Sequence, residues 1–172
     1  MIMNSNIIIL MGVAASGKTT LGKALAETTQ GIFYDGDDFH SSANREKMAA
    51  GMALTDDDRK DWLQALADLI AERSQIPTPT FIACSALKET YRDILRAAHP
   101  VLAFVFLKAD PVTLRQRITQ RYESGEHFMP PTLLDSQLRA LEPPADALEL
   151  DSTKPITELV GLVLSWIKPE PA

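Results

Sequence analysis

A single cysteine, Cys84, stands in a chain of 172 residues. That excludes an intrachain disulfide framework and a four-cysteine zinc site. The three histidines, His40, His99 and His127, are too scattered to suggest a metal cluster. Basic residues are outnumbered, 17 against 23 acidic, for a net charge of −6. A sequence-independent grip on DNA or RNA needs a basic face, so no nucleic-acid partner is expected. The longest apolar run near the start, Ile7 to Met11, is far too short to span a bilayer. A basic leader with a small-residue cleavage site is missing too. The expectation is a cytoplasmic protein with no membrane partner. Internal repeats and low-complexity linkers are absent, and so is an Asn-Lys-x-Asp motif, which weighs against a GTPase.

What is present is ordinary globular composition: 45% hydrophobic and 23% charged residues. A chain of this length buries roughly 70% of its unfolded surface, so residues 1–172 are expected to form one domain without staples. Short apolar runs alternate with longer amphipathic stretches. Ile7-Ile8-Ile9-Leu10-Met11 is unbroken and β-branched, which suits a strand buried on both faces. Further strands are expected at 32–34, 80–84, 101–107 and 147–150. Helices are expected at 18–28, 41–50, from Thr55 through Ile70, and at 86–98, 111–122, 133–141 and 155–167. Thr55 and Asp58 have capping-box spacing, and Thr132 with Asp135 repeats it. Trp62 and Trp166 fall on helical apolar stripes and read as core. Strands separated by helices imply parallel pairing through right-handed crossovers. The fold class is therefore α/β: a three-layer α/β/α sandwich around a five-stranded parallel sheet. The segments at about 38–60 and 120–132 are the expected mobile parts.

The strongest motif is Gly12-Val13-Ala14-Ala15-Ser16-Gly17-Lys18-Thr19, which meets G-x-x-x-x-G-K-[ST] at every fixed position. A buried strand precedes it and a helix follows. The glycines permit backbone conformations that a Cβ penalises, so amide N–H groups converge on phosphates at a helix N-terminus. Lys18 supplies a point charge for the β- and γ-phosphates, and Thr19 offers a hydroxyl to Mg²⁺. Gly12 through Thr20 are the expected nucleotide contacts: Gly12, Val13, Ala14, Ala15, Ser16, Gly17, Lys18, Thr19 and Thr20. The motif implies nucleotide binding and leaves the reaction open.

The second strand ends in Tyr34-Asp35-Gly36-Asp37-Asp38. In an open α/β sheet the carboxyl ends of the strands line the ligand crevice. Asp37 there can orient an attacking hydroxyl and take its proton late, or help to hold Mg²⁺. For Asp35 a turn role and a functional role weigh equally. Arg117 and Arg121 share a face of the helix that leads into 120–132, and can reach ATP phosphates on closure. Cys84 reads as a small core residue rather than a nucleophile. The loop 151–155 follows the last strand and, by fold analogy, is expected against adenine.

Here the residues become specific. Gly36-Asp37-Asp38-Phe39-His40, Asn44-x-x-Lys47-Met48-x-x-Gly51, and Leu54-Thr55-Asp56-x-Asp58-Arg59-x-x-Trp62-Leu63 form one set of blocks. Cys84-Ser85-Ala86-Leu87-Lys88-x-x-Tyr91-Arg92-Asp93-x-Leu95-Arg96 forms a second. His127-Phe128-Met129, then Leu133-Leu134-x-Ser136-Gln137-x-x-x-Leu141-Glu142, form a third. Their identity and order resemble the gluconate kinase family, from residue 7 to about 144. The spacing between Arg121 and His127 is longer than the family's.

The resemblance implies a nucleoside-monophosphate-kinase-like fold with a mobile lid, and a homodimer. It implies ATP- and Mg²⁺-dependent phosphorylation of D-gluconate at its 6-hydroxyl. A kinase of another small hydroxy acid such as shikimate, or an ATP-binding module without transfer, are the alternatives. Gluconate is a polyol with a carboxylate at the far end, which calls for hydrogen-bonding groups and a cation. Between Asp35 and Asp61 there are eight acidic residues and four basic ones, Arg45, Lys47, Arg59 and Lys60. The expected substrate contacts are Asp37, His40, Arg45, Lys47, Arg59, Lys88, Tyr91, Arg92 and His127. Taken singly, Arg45 and Lys47 read equally as solvated helix residues and Tyr91 as packing. The expected catalytic residues are Lys18, Asp37 and Arg121, with Thr19 and Asp37 at the metal.

Overall fold

The computed structural model describes residues 5–126 and 129–167. Five strands, β1 (Ile7–Met11), β2 (Ile32–Asp35), β3 (Thr80–Ala83), β4 (Ala103–Lys108) and β5 (Leu148–Asp151), form one sheet. The order is β2-β3-β1-β4-β5, and every pairing is parallel. The helices are α1 (Lys18–Thr29), α2 (Ser42–Ala49), α3 (Asp56–Ser74), α4 (Glu89–Ala98), α5 (Pro111–Glu123), α6 (Leu133–Ala140) and α7 (Ile156–Ile167).

The period-two alternation of β1 explains the three layers. Ile7, Ile9 and Met11 pack on one face with Trp62, Leu63, Leu66 and Ile70 of α3 and Tyr91 and Leu95 of α4. Ile8 and Leu10 face the other way, onto Leu21 and Leu25 of α1 and Leu159 and Val163 of α7. Every residue of β1 is buried, as expected for a strand covered on both sides. A third, smaller cluster sits above the carboxyl edge: Val13, Ala14, Met48, Leu54, Leu87, Leu114, Ile118, Met129, Leu133 and Leu134. It ties α2, α5 and α6 to the phosphate loop. Among the described residues no helix is long and apolar enough to cross a membrane.

The departures from expectation have local causes. The strand expected from residue 101 begins at Ala103, because Val101 stands in an exposed turn after Pro100. The helix expected from residue 86 begins at Glu89, because Ala86 has φ +43°, outside the helical region. Asp35 belongs to β2 rather than to a turn, and Gly36–Phe39 form one turn of 3-10 helix. The capping box at Thr55 is present with both bonds, at 3.2 and 2.7 Å. The one expected at Thr132 is not: Thr132 makes no side-chain cap, and Asp135 instead pairs with Arg115 of α5 at 2.7 Å.

Candidate active site

Gly12 has φ +143°, and a Cβ there would lie 2.7 Å from Leu107 O and 2.8 Å from Ser16 Oγ. Gly17 has φ +99° and caps the start of α1. Both positions need glycine, the first for space as well as torsion. Ala15 also takes a left-handed φ of +63°. The loop so shaped carries Lys18, whose ammonium donates to Gly12 O at 3.0 Å and Val13 O at 2.8 Å. Burial lowers the Lys18 pKa below its ordinary value, while Asp37 and Asp35 pull it back up.

The carboxyl end of β2 meets this loop. Thr19 Oγ1 donates to Asp35 Oδ2 at 3.2 Å, and Asp35 Oδ1 accepts from Asp37 N–H at 3.1 Å. Asp35 therefore fixes both the phosphate-loop hydroxyl and the turn that bears Asp37. Trp62 sits beneath, buried, and its Nε1 donates to Gly36 O at 2.7 Å. Its ring stacks on His40, with centroids 4.4 Å apart and planes 11° from parallel. Trp62 is thus core, as expected, and also the floor of the site. Burial raises the Asp37 carboxyl pKa above its ordinary value, Asp35 adds to the rise, and Lys18 opposes it. Burial also pushes His40 down to about 4, with Arg59 and Arg45 adding to the shift. The Cys84 thiol is pushed up to about 12 by burial, which suits an inert core residue.

Two cavities flank the loop. One, of about 360 Å³, holds Lys18, Thr19, Asp35, Asp37, His40, Arg45, Arg59 and Arg121 on its walls. The other, of about 580 Å³, runs from Ser16, Gly17 and Thr20 to Arg117, Ser152, Lys154 and Ile156. Arg121 lines both, at their junction.

The expected residues divide accordingly. The phosphate-loop residues, Asp37, His40, Arg45, Arg59 and Arg121 converge. Arg45 donates to Asp37 O at 3.3 Å. Arg59 donates to Leu54 O and Thr55 O and lies over the Tyr91 ring, 5.6 Å from its centroid. Others go elsewhere. Lys47 is drawn to Asp58 at 2.6 Å, off the cavity wall. Lys88 pairs with Asp56 at 2.8 Å, and Tyr91 Oη donates to the same carboxylate. These two clamp the start of α3 against α4. Arg92 is fully buried; its guanidinium holds Ala86 O at 2.8 Å, Leu87 O at 3.2 Å and the Glu89 carboxylate. Arg92 is therefore a brace for the loop after β3, correcting its assignment as a substrate contact. Arg117 bonds Ser152 Oγ and Ser152 O, both at 3.0 Å, and lines the larger cavity with the phosphate-loop residues Ser16, Gly17 and Thr20. His127 lies outside the described residues. Two residues of the site were not among the expected site residues, though Asp35 was weighed evenly between turn and function and Gln137 lay in a family block. Asp35 had a signal in its D-x-D spacing with Asp37. Gln137 of α6, which accepts from Ala14 N–H at 2.6 Å, had none in charge or composition.

Comparison with known proteins fits this geometry. Residues 7–144 match an AAA domain family model. The chain is 38% identical to the thermoresistant gluconokinase of Escherichia coli (strain K12), over 95% of this chain and 94% of that protein. The chain belongs to the gluconokinase family. A solved structure of a gluconokinase from Sinorhizobium meliloti 1021 superposes with a TM-score of 0.80 at 40% identity, covering 97% of this chain and 93% of that one. The shikimate kinase of Aquifex aeolicus, at 18% identity and a TM-score of 0.58 over 92% and 94% of the two chains, shares the fold alone. The sandwich is accordingly of the P-loop, nucleoside-monophosphate-kinase-like kind.

Proposed function

We propose that this chain transfers the γ-phosphoryl group of ATP to the 6-hydroxyl of D-gluconate, giving 6-phospho-D-gluconate and ADP. One observation carries the reading: Lys18 and Asp37, from the phosphate loop and the end of β2, face one cavity rimmed by Arg45 and Arg59, in a chain of the gluconokinase family. Lys18 meets the phosphates, where negative charge gathers in the transition state. Asp37 orients the acceptor hydroxyl and takes its proton as the new bond forms. A raised pKa brings that carboxylate closer to the working pH than a free one. Arg121, at the junction of the compartments, meets the transferring group when the segment 120–132 closes as a lid. Closure excludes water and so limits idle hydrolysis.

The donor set suits Mg²⁺. Thr19 and Asp35 present hard oxygens 3.2 Å apart, with Asp37 on the same wall. Among the described residues no group of three or more His, Cys, Asp or Glu forms a metal cage. A magnesium ion bound chiefly through phosphates and water needs only one or two such protein oxygens. When bound it offsets phosphate charge. The same reading includes a homodimer in the cytoplasm, with light scattering expected to give twice the 18.9 kDa chain mass. The decisive test is product analysis. ADP must appear only when gluconate and Mg²⁺ are present, with phosphate on the C6 oxygen; phosphate at any other position refutes the assignment.

A further inference from the structure

The side chain of Gln137 joins three parts of the site. Its Oε1 accepts from Ala14 N–H at 2.6 Å, across a sequence separation of 123. Its Nε2 donates to Met129 Sδ at 3.3 Å, at the end of the segment read above as a lid. It also lines the acceptor cavity and a depression of about 280 Å³ beside it, the two sharing Leu54, Arg59, Leu87 and Gln137. The amide orientation follows from chemistry: a backbone N–H only donates, so the oxygen must face Ala14 and the nitrogen turns away from it.

α6 is held firmly enough to aim this group. Leu133 and Leu134 are buried in the cluster that contains Val13 and Ala14. Asp135 pairs with Arg115 at 2.7 Å, and just past the helix Glu142 N–H donates to Leu87 O at 2.8 Å. The two bonds of Gln137 are unequal. The Ala14 bond is short and satisfies a buried amide. A thioether is a weak acceptor, and Nε2 carries two N–H groups. A hydroxyl entering the cavity therefore displaces or joins the sulfur at little cost.

We propose that Gln137 is a specificity residue for the acceptor: its nitrogen donates to a hydroxyl of the polyol chain while its oxygen holds the turn of the phosphate loop at Ala14. One side chain then sets the acceptor's position relative to that loop. The inference rests on the gluconokinase reading. Its test is a cycle between protein variants and monodeoxy analogues of gluconate, taken one position at a time. For wild type, one analogue should lose about three- to tenfold in kcat/KM, the size of one neutral hydrogen bond. In Gln137→Met, of similar volume, gluconate itself should fall by at least that factor, since the Ala14 bond is lost as well, and that analogue should then turn over as well as gluconate does, its penalty gone. Gln137→Glu keeps an oxygen for Ala14 N–H and lacks the donor. Its carboxylate can accept from the same hydroxyl, so it serves to separate the loop contact: KM for ATP should stay closer to wild type than in Gln137→Met, and thermal melts establish that each variant is folded. Persistence of the full analogue penalty in folded Gln137→Met overturns the proposal while leaving the gluconokinase reading intact. A wild type inert towards gluconate overturns both.

Discussion

Replacing Asp37 by Asn removes a charge while keeping shape. The structure gives the change two opposite consequences. In catalysis the carboxylate is lost from the wall it shares with Lys18 and Thr19. Loss of a positioned acid–base group costs about 10²–10⁴ in rate, which is about 3–5 kcal/mol of barrier. The loss should fall on kcat. ATP affinity without Mg²⁺ should barely move, because Asp37 bonds no atom of the loop 12–19 directly; its N–H goes to Asp35. In stability the sign reverses. Burial and Asp35 raise the folded pKa of Asp37 above the ordinary 3.8. Such a group contributes its stability below the unfolded value and loses it as pH rises through the folded one. At neutral pH the ionised Asp37 therefore strains the fold, and Asp37→Asn should melt higher than wild type, with the gap closing below pH 3.8. Stopped assays of kcat and thermal melts across pH measure both. A variant that melts lower at neutral pH, or that keeps wild-type kcat, refutes the reasoning. Rescue of activity by raised Mg²⁺ would instead assign Asp37 to the metal.

Lys18→Ala should lower kcat by about 10²–10³, comparable with losing one donor to a developing charge; near-normal turnover would mean the loop has another role. Arg121→Ala should reduce kcat more than ATP affinity measured without acceptor, because the contact forms on closure, and equal losses would indicate a ground-state contact. His40 is held down to about 4 against an ordinary 6.5, so the unfolded chain takes the proton first. Its share of stability is complete above about pH 6.5 and declines as pH falls towards 4; His40→Gln should flatten that part of the melting curve, and an unchanged slope would contradict the burial argument.

The sheet was legible because β1 and the stretch Phe81–Ala83 of β3 are short apolar runs, and Gly12–Thr19 fixed one crevice at their ends. The second half of the site was less so. Arg92, Arg117 and Lys47 carry long side chains whose partners are chosen by tertiary packing. Asp58 caps α3 and also receives Lys47 at 2.6 Å. Arg92 closes on carbonyls of a loop that turns at Ala86, φ +43°. Nothing in the spacing announces a left-handed alanine. Gln137 is neutral and isolated in sequence, and its role arises only where α6 crosses the phosphate loop. Asp35 was visible in the turn-like Asp-Gly-Asp run, yet its bond to Thr19 depends on the register of β2 beside β3.

The central claim is that one cavity, bounded by Lys18, Asp37, Arg45 and Arg59, takes an acyclic sugar acid. It is tested most directly by ADP release at saturating ATP and Mg²⁺ across gluconate, glucose, glucitol and shikimate. The account predicts the highest kcat/KM for gluconate, since glucose and glucitol lack the carboxylate that the arginine rim would meet and shikimate lacks the open polyol chain. Faster turnover of shikimate or of either neutral sugar would contradict it.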